Sequence, residues 1–205
     1  MRKLVTSVIV VVLTLASVAS ANLLLNGDFS QSGVAGQLGT ATINNWSTWG
    51  TSGYYQSDIG SQYSVKIWWD DSGLWQDWTA VAGQAYQMTV QGQTLSSEPL
   101  RNWDGFLQVE WYNSGNGQIS KRTVDNFYPT DPTNQWVAVQ GVVTAPVGTA
   151  YGRILLGVTN WSASASGSVY FDNADVVAIP EPTLAALLGF AGLLFLAGRR
   201  IAHRK

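Results

Sequence analysis

Through most of the chain, apolar and polar side chains alternate over short runs, the period of a strand with one buried face. In residues 86–94, Tyr86, Met88 and Val90 share one side, and Gln87, Thr89, Gln91 and Gln93 share the other. In 105–112, Leu107, Val109 and Trp111 oppose Phe106, Gln108, Glu110 and Tyr112. In 64–69, Val65, Ile67 and Trp69 oppose Lys66 and Trp68. The apolar sets read as core, and with them Trp69, Trp78 and Trp111. Further runs at 22–29, 73–81, 119–124, 135–144, 152–159 and 168–177 complete eight or nine candidate strands. Clusters of Gly, Asn, Asp, Ser and Pro separate them at 70–73, 82–84, 113–117 and 146–148. Asn116 followed by Gly117 is a hairpin signal. No helical repeat of useful length interrupts the series. The pattern predicts a single all-β domain, a jelly-roll β-sandwich.

Two uniformly apolar runs break the alternation, one at each end. Arg2 and Lys3 precede an apolar stretch at 4–18, and Ala19, Ser20 and Ala21 form a small-residue cleavage site. That layout is a secretory signal peptide over 1–21. At the other end, Pro180, Glu181 and Pro182 precede a run at 183–198 with no charged side chain, and Arg199 and Arg200 open a basic tail over 199–205. As a helix the run would be ~24 Å long, short against a hydrocarbon core of ~30 Å unless the arginines snorkel. The triplet, the short span and the basic end together resemble the PEP-CTERM sorting signal of Gram-negative bacteria. The resemblance implies an exported chain, held in the inner membrane by the tail and processed by an exosortase with the secretion machinery. It also implies delivery to the cell surface or extracellular matrix. The domain proper is then 22–179, with the sorting signal at 180–205.

Charge changes the picture of the domain. Residues 22–180 carry five basic and twelve acidic side chains, a net −7 that the basic ends of the chain conceal. Phosphate backbones need clustered Lys and Arg, so nucleic acid is excluded as a partner. The chain has no cysteine, and its one histidine, His203, lies in the basic tail. No disulfide, Cys/His zinc site or imidazole base is available to the domain.

Aromatic residues supply the candidate chemistry. All ten tryptophans, Trp46 to Trp161, lie within 22–179. A pyranose stacks its C–H face on an aromatic ring while amides and carboxylates meet its hydroxyls. If the polar faces of the central strands join in one sheet, Trp68, Gln91, Gln93, Gln108, Glu110 and Tyr112 form such a surface. The alternative is an ordinary solvated sheet face. Trp46, Trp49, Trp103 and Trp161 sit among Asn, Ser and Gly, either as exposed stacking platforms or as lids over an end of the sandwich. Glycoside hydrolysis needs two carboxyl groups at a fixed separation. Nothing in the spacing of Glu98, Asp104 and Glu110 singles out a pair, so no catalytic residue is expected.

The sequence from Asn22 through Leu23, Leu24, Leu25, Asn26, Gly27, Asp28 and Phe29 to Ser30 resembles the opening motif of CenC-type carbohydrate-binding modules, which share a galactose-binding-like jelly roll. Trp46, Ser64 to Ile67, Leu74 to Gln76, Gly83 to Tyr86, Asn134 to Trp136 and Val169 to Asn173 continue the likeness. It implies non-catalytic binding of extracellular polysaccharide or a cell-envelope glycan. It also implies a structural calcium, held by the last-strand aspartate, Asp172, and a carboxylate of the opening motif. Ser30 stands where that family has glutamate, which leaves Asp28 as the substitute; both aspartates also suit plain turn capping. The rival reading is a structural surface or matrix protein without a glycan ligand, and a glycoside-active enzyme is the remoter one.

Overall fold

The computed structural model describes residues 21–31, 36–38, 41–51, 53–59, 62–68, 71–159, 162 and 164–180. Residues 1–20 of the expected signal peptide, Trp69, Trp161 and the expected sorting signal after Pro180 lie outside the described residues. Among the described residues eleven strands form: β1 Gly36–Gln37, β2 Ser47–Trp49, β3 Gly53–Ile59, β4 Gln62–Ile67, β5 Gly73–Thr79, β6 Ala85–Gln93, β7 Asp104–Tyr112, β8 Gln118–Phe127, β9 Val137–Thr144, β10 Tyr151–Thr159 and β11 Val169–Ala178. They pair in two antiparallel sheets. One has six strands in the order β1-β3-β4-β11-β6-β9, the other five in the order β2-β5-β10-β7-β8. This is a jelly-roll β-sandwich, as the alternation predicts.

The alternation places the core. Tyr86, Met88 and Val90 of β6 and Leu107, Val109 and Trp111 of β7 are buried between the sheets, with Val65, Ile67, Leu74, Trp78, Ile154 and Leu156. Trp78, Trp111 and Tyr86 meet at centroid separations of 5.5–5.9 Å, locking β5 and β7 of one sheet to β6 of the other. Buried hydrophobics of the described residues run from Leu24 to Val176, so 22–180 carries its own core.

Three differences from the sequence reading have physical causes. The strands β1, β2 and β3 lack a clear alternation and are invisible to it. Residues 22–29 do not form a strand, because Asn26 and Phe29 adopt left-handed φ values of 53° and 52°. Side chains there replace the ladder. Asn22 Oδ1 accepts from Leu24 and Val176 N–H, and Asn22 Nδ2 donates to Ala174 O. The Gln76 side chain accepts from Leu25 N–H at 2.7 Å and donates to Leu25 O at 2.8 Å. The opening motif is thus a latch that ties the first residues to β11 of one sheet and β5 of the other. Gly27 allows it, since a Cβ there would fall 2.1 Å from Ala174 O.

The third difference concerns the proposed surface. β6 and β7 are consecutive in sequence but lie in different sheets. Gln91 and Gln93 therefore face away from Gln108, Glu110 and Tyr112, on the opposite side of the molecule.

Candidate functional site

The outer face of the five-stranded sheet gathers residues that are distant in sequence. β10 lies between β5 and β7, with Arg153 opposite both Asp77 and Glu110, and Glu110 opposite Lys121 of β8. One row across four strands thus reads Asp77, Arg153, Glu110, Lys121, with alternating charge. Arg153 Nε and Nη2 donate to the two Asp77 carboxylate oxygens at 2.7 and 3.0 Å. Lys121 Nζ stands 3.4 Å from Glu110 Oε1, and Tyr112 Oη donates to Glu110 Oε2 at 2.6 Å. Hydrogen bonding to Asp77 raises the Arg153 pKa further, against the opposing effect of burial. Burial, followed by the Glu110 hydrogen bond, pushes the Tyr112 phenol up to about 12. It remains a donor at any physiological pH.

Aromatic rings frame this row. The Arg153 guanidinium lies 3.7 Å from the Trp75 ring centroid and 5.0 Å from that of Tyr112. Tyr112 and Tyr151, cross-strand neighbours, stack at 4.9 Å with their planes 4° apart. Tyr151 Oη donates to Asn116 Oδ1 at 3.2 Å, across the β7–β8 hairpin turn that the Asn-Gly signal predicts. Gly152, between Tyr151 and Arg153, permits the buried indole of Trp78 to lie beneath, since a Cβ would come within 2.4 Å of that ring. The result is an open hollow of about 660 Å³ lined by Asp77, Thr79, Tyr112, Asn116, Tyr151 and Arg153. A second hollow of about 410 Å³ adjoins it across β5 and reaches Trp75, Ser47, Asn45 and Leu25. The far end of the face is closed, with Phe106 and Leu155 buried on it.

Of the residues expected from sequence, Gln108, Glu110 and Tyr112 lie on this face. Gln91, Gln93 and Trp68 do not. On the outer side of the six-stranded sheet, Lys66 Nζ sits 2.6 Å from Glu98 and lies 5.8 and 5.4 Å from the ring centroids of Trp68 and Tyr170. Gln93 is buried, and Gln91 is half-buried. Burial alone would raise the Glu98 carboxyl, but hydrogen bonds from Lys66 and Tyr170 bring it below the usual value. Trp103 is 1% exposed and its Nε1 donates to Ser166 O at 2.7 Å, so it is a lid over one end of the sandwich and offers no ring face. Trp46 is a lid too, its Nε1 donating to Asn26 O within the opening latch. Trp75, Asp77, Tyr151 and Arg153 were missed. Their strands show the right parity, yet nothing in sequence says that β10 inserts between β5 and β7.

The charge of Asp28 reaches Asp172, the other carboxylate that the resemblance singles out. Asp172 is 2% exposed, and burial pushes its carboxyl up to about 6; the Asn173 N–H opposes the shift and the Asp28 charge adds to it. Asp28 bonds Ser30 through both carboxylate oxygens. Beside them a polar hollow of about 400 Å³ is lined by Asn22, Asn26, Asp28, Ser30, Gln31 and Asp175, and Asp175 Oδ1 is buried without a partner. Among the described residues no cluster of three or more His, Cys, Asp or Glu forms. Of the nearby carboxylates, Asp28 and Asp175 line the hollow and Asp172 does not, so a hard cation there would take most of its oxygens from backbone and amide groups.

No family model matches the chain, and no curated protein matches it. Solved structures do. The C-terminal family 22 carbohydrate-binding module of Clostridium thermocellum Xyn10B superposes with a TM-score of 0.50 at 14% identity, over 75% of this chain and 95% of that one. The second family 22 xylan-binding domain of Paenibacillus barcinonensis Xyn10C gives 0.50 at 15%, over 71% and 98%. Tailspike protein 4 of bacteriophage CBA120 gives 0.52 at 14%, but this chain spans only 21% of it. At such identities the likeness establishes the fold: the chain has the jelly-roll sandwich of these modules.

Proposed function

We propose that the outer face of the five-stranded sheet binds carbohydrate without cleaving it. The observation that carries this is the pair of adjoining open hollows, one holding Tyr112 and Tyr151 and the other Trp75, on either side of a fixed row of hydrogen-bonding groups. Aromatic faces and edges take the apolar sides of sugar rings, while Asp77, Glu110, Arg153 and Asn116 meet hydroxyls in set directions. Both carboxylates are committed to cations or hydroxyl donors, an arrangement that suits recognition and leaves no free acid–base pair. That solved structures sharing this fold include a carbohydrate-binding module and a xylan-binding domain supports the same reading. Weak single sites gain retention when many copies face one polysaccharide.

The rest of the proposal concerns place and cofactor. The tail carries the chain to the cell envelope through exosortase processing, and replacing Glu181 should leave unprocessed protein in the inner membrane. Calcium bound by Asp28 and Asp172 would neutralise their mutual repulsion and hold the opening latch to β11.

The test is affinity electrophoresis of 22–180 against xylan and a panel of soluble polysaccharides. Retention should disappear in a Trp75→Ala/Tyr151→Ala variant and persist in Trp68→Ala. Equal loss in both variants would place the site elsewhere. No retention by any polysaccharide, with the domain folded, would favour a structural matrix protein.

A further inference from the structure

The chain departs beside two turns, at 81–84 and 145–149, that carry no charged side chain. Ile179 N–H donates to Ala85 O at 2.9 Å and Ile179 O accepts from Gln84 Nε2, which fixes the exit beside the turn at 81–84. Gly83 N–H donates to Ala145 O, and Ala145 N–H to Gln84 O, tying that turn to the one at 145–149. Val81 is 64% exposed and Val147 92%. Ile119, 37% exposed, lies beside the second of these turns: a methyl built on Gly148 would sit 3.8 Å from its Cδ1. No charged residue occurs in 80–86 or 135–150, in a domain of net −7. Aliphatic side chains held at turn tips gain nothing from water, and clustered exposure of this kind marks a contact surface.

The chain beyond the exit says which contact. Pro180, Glu181 and Pro182 are all that separate Ile179 from the uncharged run at 183–198. Four residue steps, even fully extended, span at most about 14 Å. The polar layer on each side of a bilayer is roughly 5–8 Å deep, the difference between core and total thickness. A tether this short keeps Ile179 within about 10 Å of the headgroup layer of a membrane that holds the run.

We propose that Val81, Val147 and Ile119 dock in the headgroup layer of the bilayer entered by 183–198, so that the domain stands with its exit end on the membrane. This rests on the reading of the tail as membrane-inserted, and the experiment separates the two. The chain has no cysteine, so single labels are available. Val81→Cys, Val147→Cys and Ser97→Cys variants of the full chain receive an environment-sensitive fluorophore. Ser97 follows β6 at its other end, about 27 Å away at the rise of an extended strand. In vesicles of phosphatidylethanolamine and phosphatidylglycerol, labels at 81 and 147 should shift to the blue and be quenched by nitroxide lipids, while the label at 97 does neither. Adding Val81→Asp to the Val147→Cys variant should reverse the shift at 147 without releasing the chain from vesicles. If the chain floats with vesicles but all three labels stay wet, the docking is wrong. A blue shift already present without vesicles would overturn it too, since the tail would then be covering the tip. If the full chain fails to float, the tail reading falls and the docking falls with it.

Discussion

Replacing Asp172 by asparagine should stabilise the calcium-free domain at neutral pH. Asp172 is nearly inaccessible and faces the charge of Asp28, and its carboxyl is pushed up to about 6 from an ordinary 3.8. A folded pKa above the unfolded one means that folding favours the protonated form. The associated stability is fully present below about pH 4, falls as pH rises toward 6, and is absent above it. Two pKa units at ~1.4 kcal/mol each put the cost of keeping the ion buried at roughly 3 kcal/mol at pH 7.5. Asparagine is isosteric, can still accept from Asn173 N–H, and does not titrate. Urea unfolding of 22–180 in EDTA, followed by tryptophan fluorescence, should show Asp172→Asn more stable than wild type by that order at pH 7.5. The difference should shrink toward zero by pH 4. Carboxylates remote from residue 172 are common to both proteins and cancel. In excess calcium the ranking should narrow or reverse, because only the wild type gains binding free energy. A variant less stable than wild type in EDTA at pH 7.5, or a difference independent of pH, would refute the reasoning.

Other outcomes follow from the same coordinates. Gln76→Ala leaves both backbone groups of Leu25 without their partner; the urea midpoint should fall by the equivalent of about 2–3 kcal/mol. Gly27→Ala drives a methyl into Ala174 O, and calorimetry should show a loss of at least ~2 kcal/mol. Arg153→Ala breaks a partly exposed ion pair, so stability should change by only ~1 kcal/mol or less. Its glycan retention in affinity electrophoresis should nonetheless fall well below that of wild type.

How much of this was legible in the sequence depends on the range of the physics involved. Parity within a strand is local, and it correctly buried Tyr86, Met88, Val90, Leu107, Val109 and Trp111. Which strands become neighbours is not local. The loop after Gln93 carries the chain from one sheet to the other, so the glutamines of β6 and the polar face of β7 part company. Arg153 reads as one cation among five in 22–180; only the insertion of β10 between β5 and β7 places it between Asp77 and Glu110. Trp103 looked like a loop aromatic because its neighbours Asn102 and Asp104 are polar. The loop instead turns inward, and the indole finds its acceptor on Ser166. Sequence gave no measure of that long-range partner.

β11 has a consequence for the order in which the domain can assemble. It is the last strand made, yet it sits in the middle of its sheet, between β4 and β6. Without it, β1, β3 and β4 on one side and β6 and β9 on the other share no ladder. The opening latch needs it as well, since Asn22 reaches Ala174 and Val176 across more than 150 residues. Contacts so distant must close large loops before they are rewarded, which slows folding. A chain emerging N-terminus first therefore has no complete six-stranded sheet until about residue 178 is free. Until then that sheet exists only as two separate ladders, waiting for the strand that joins them.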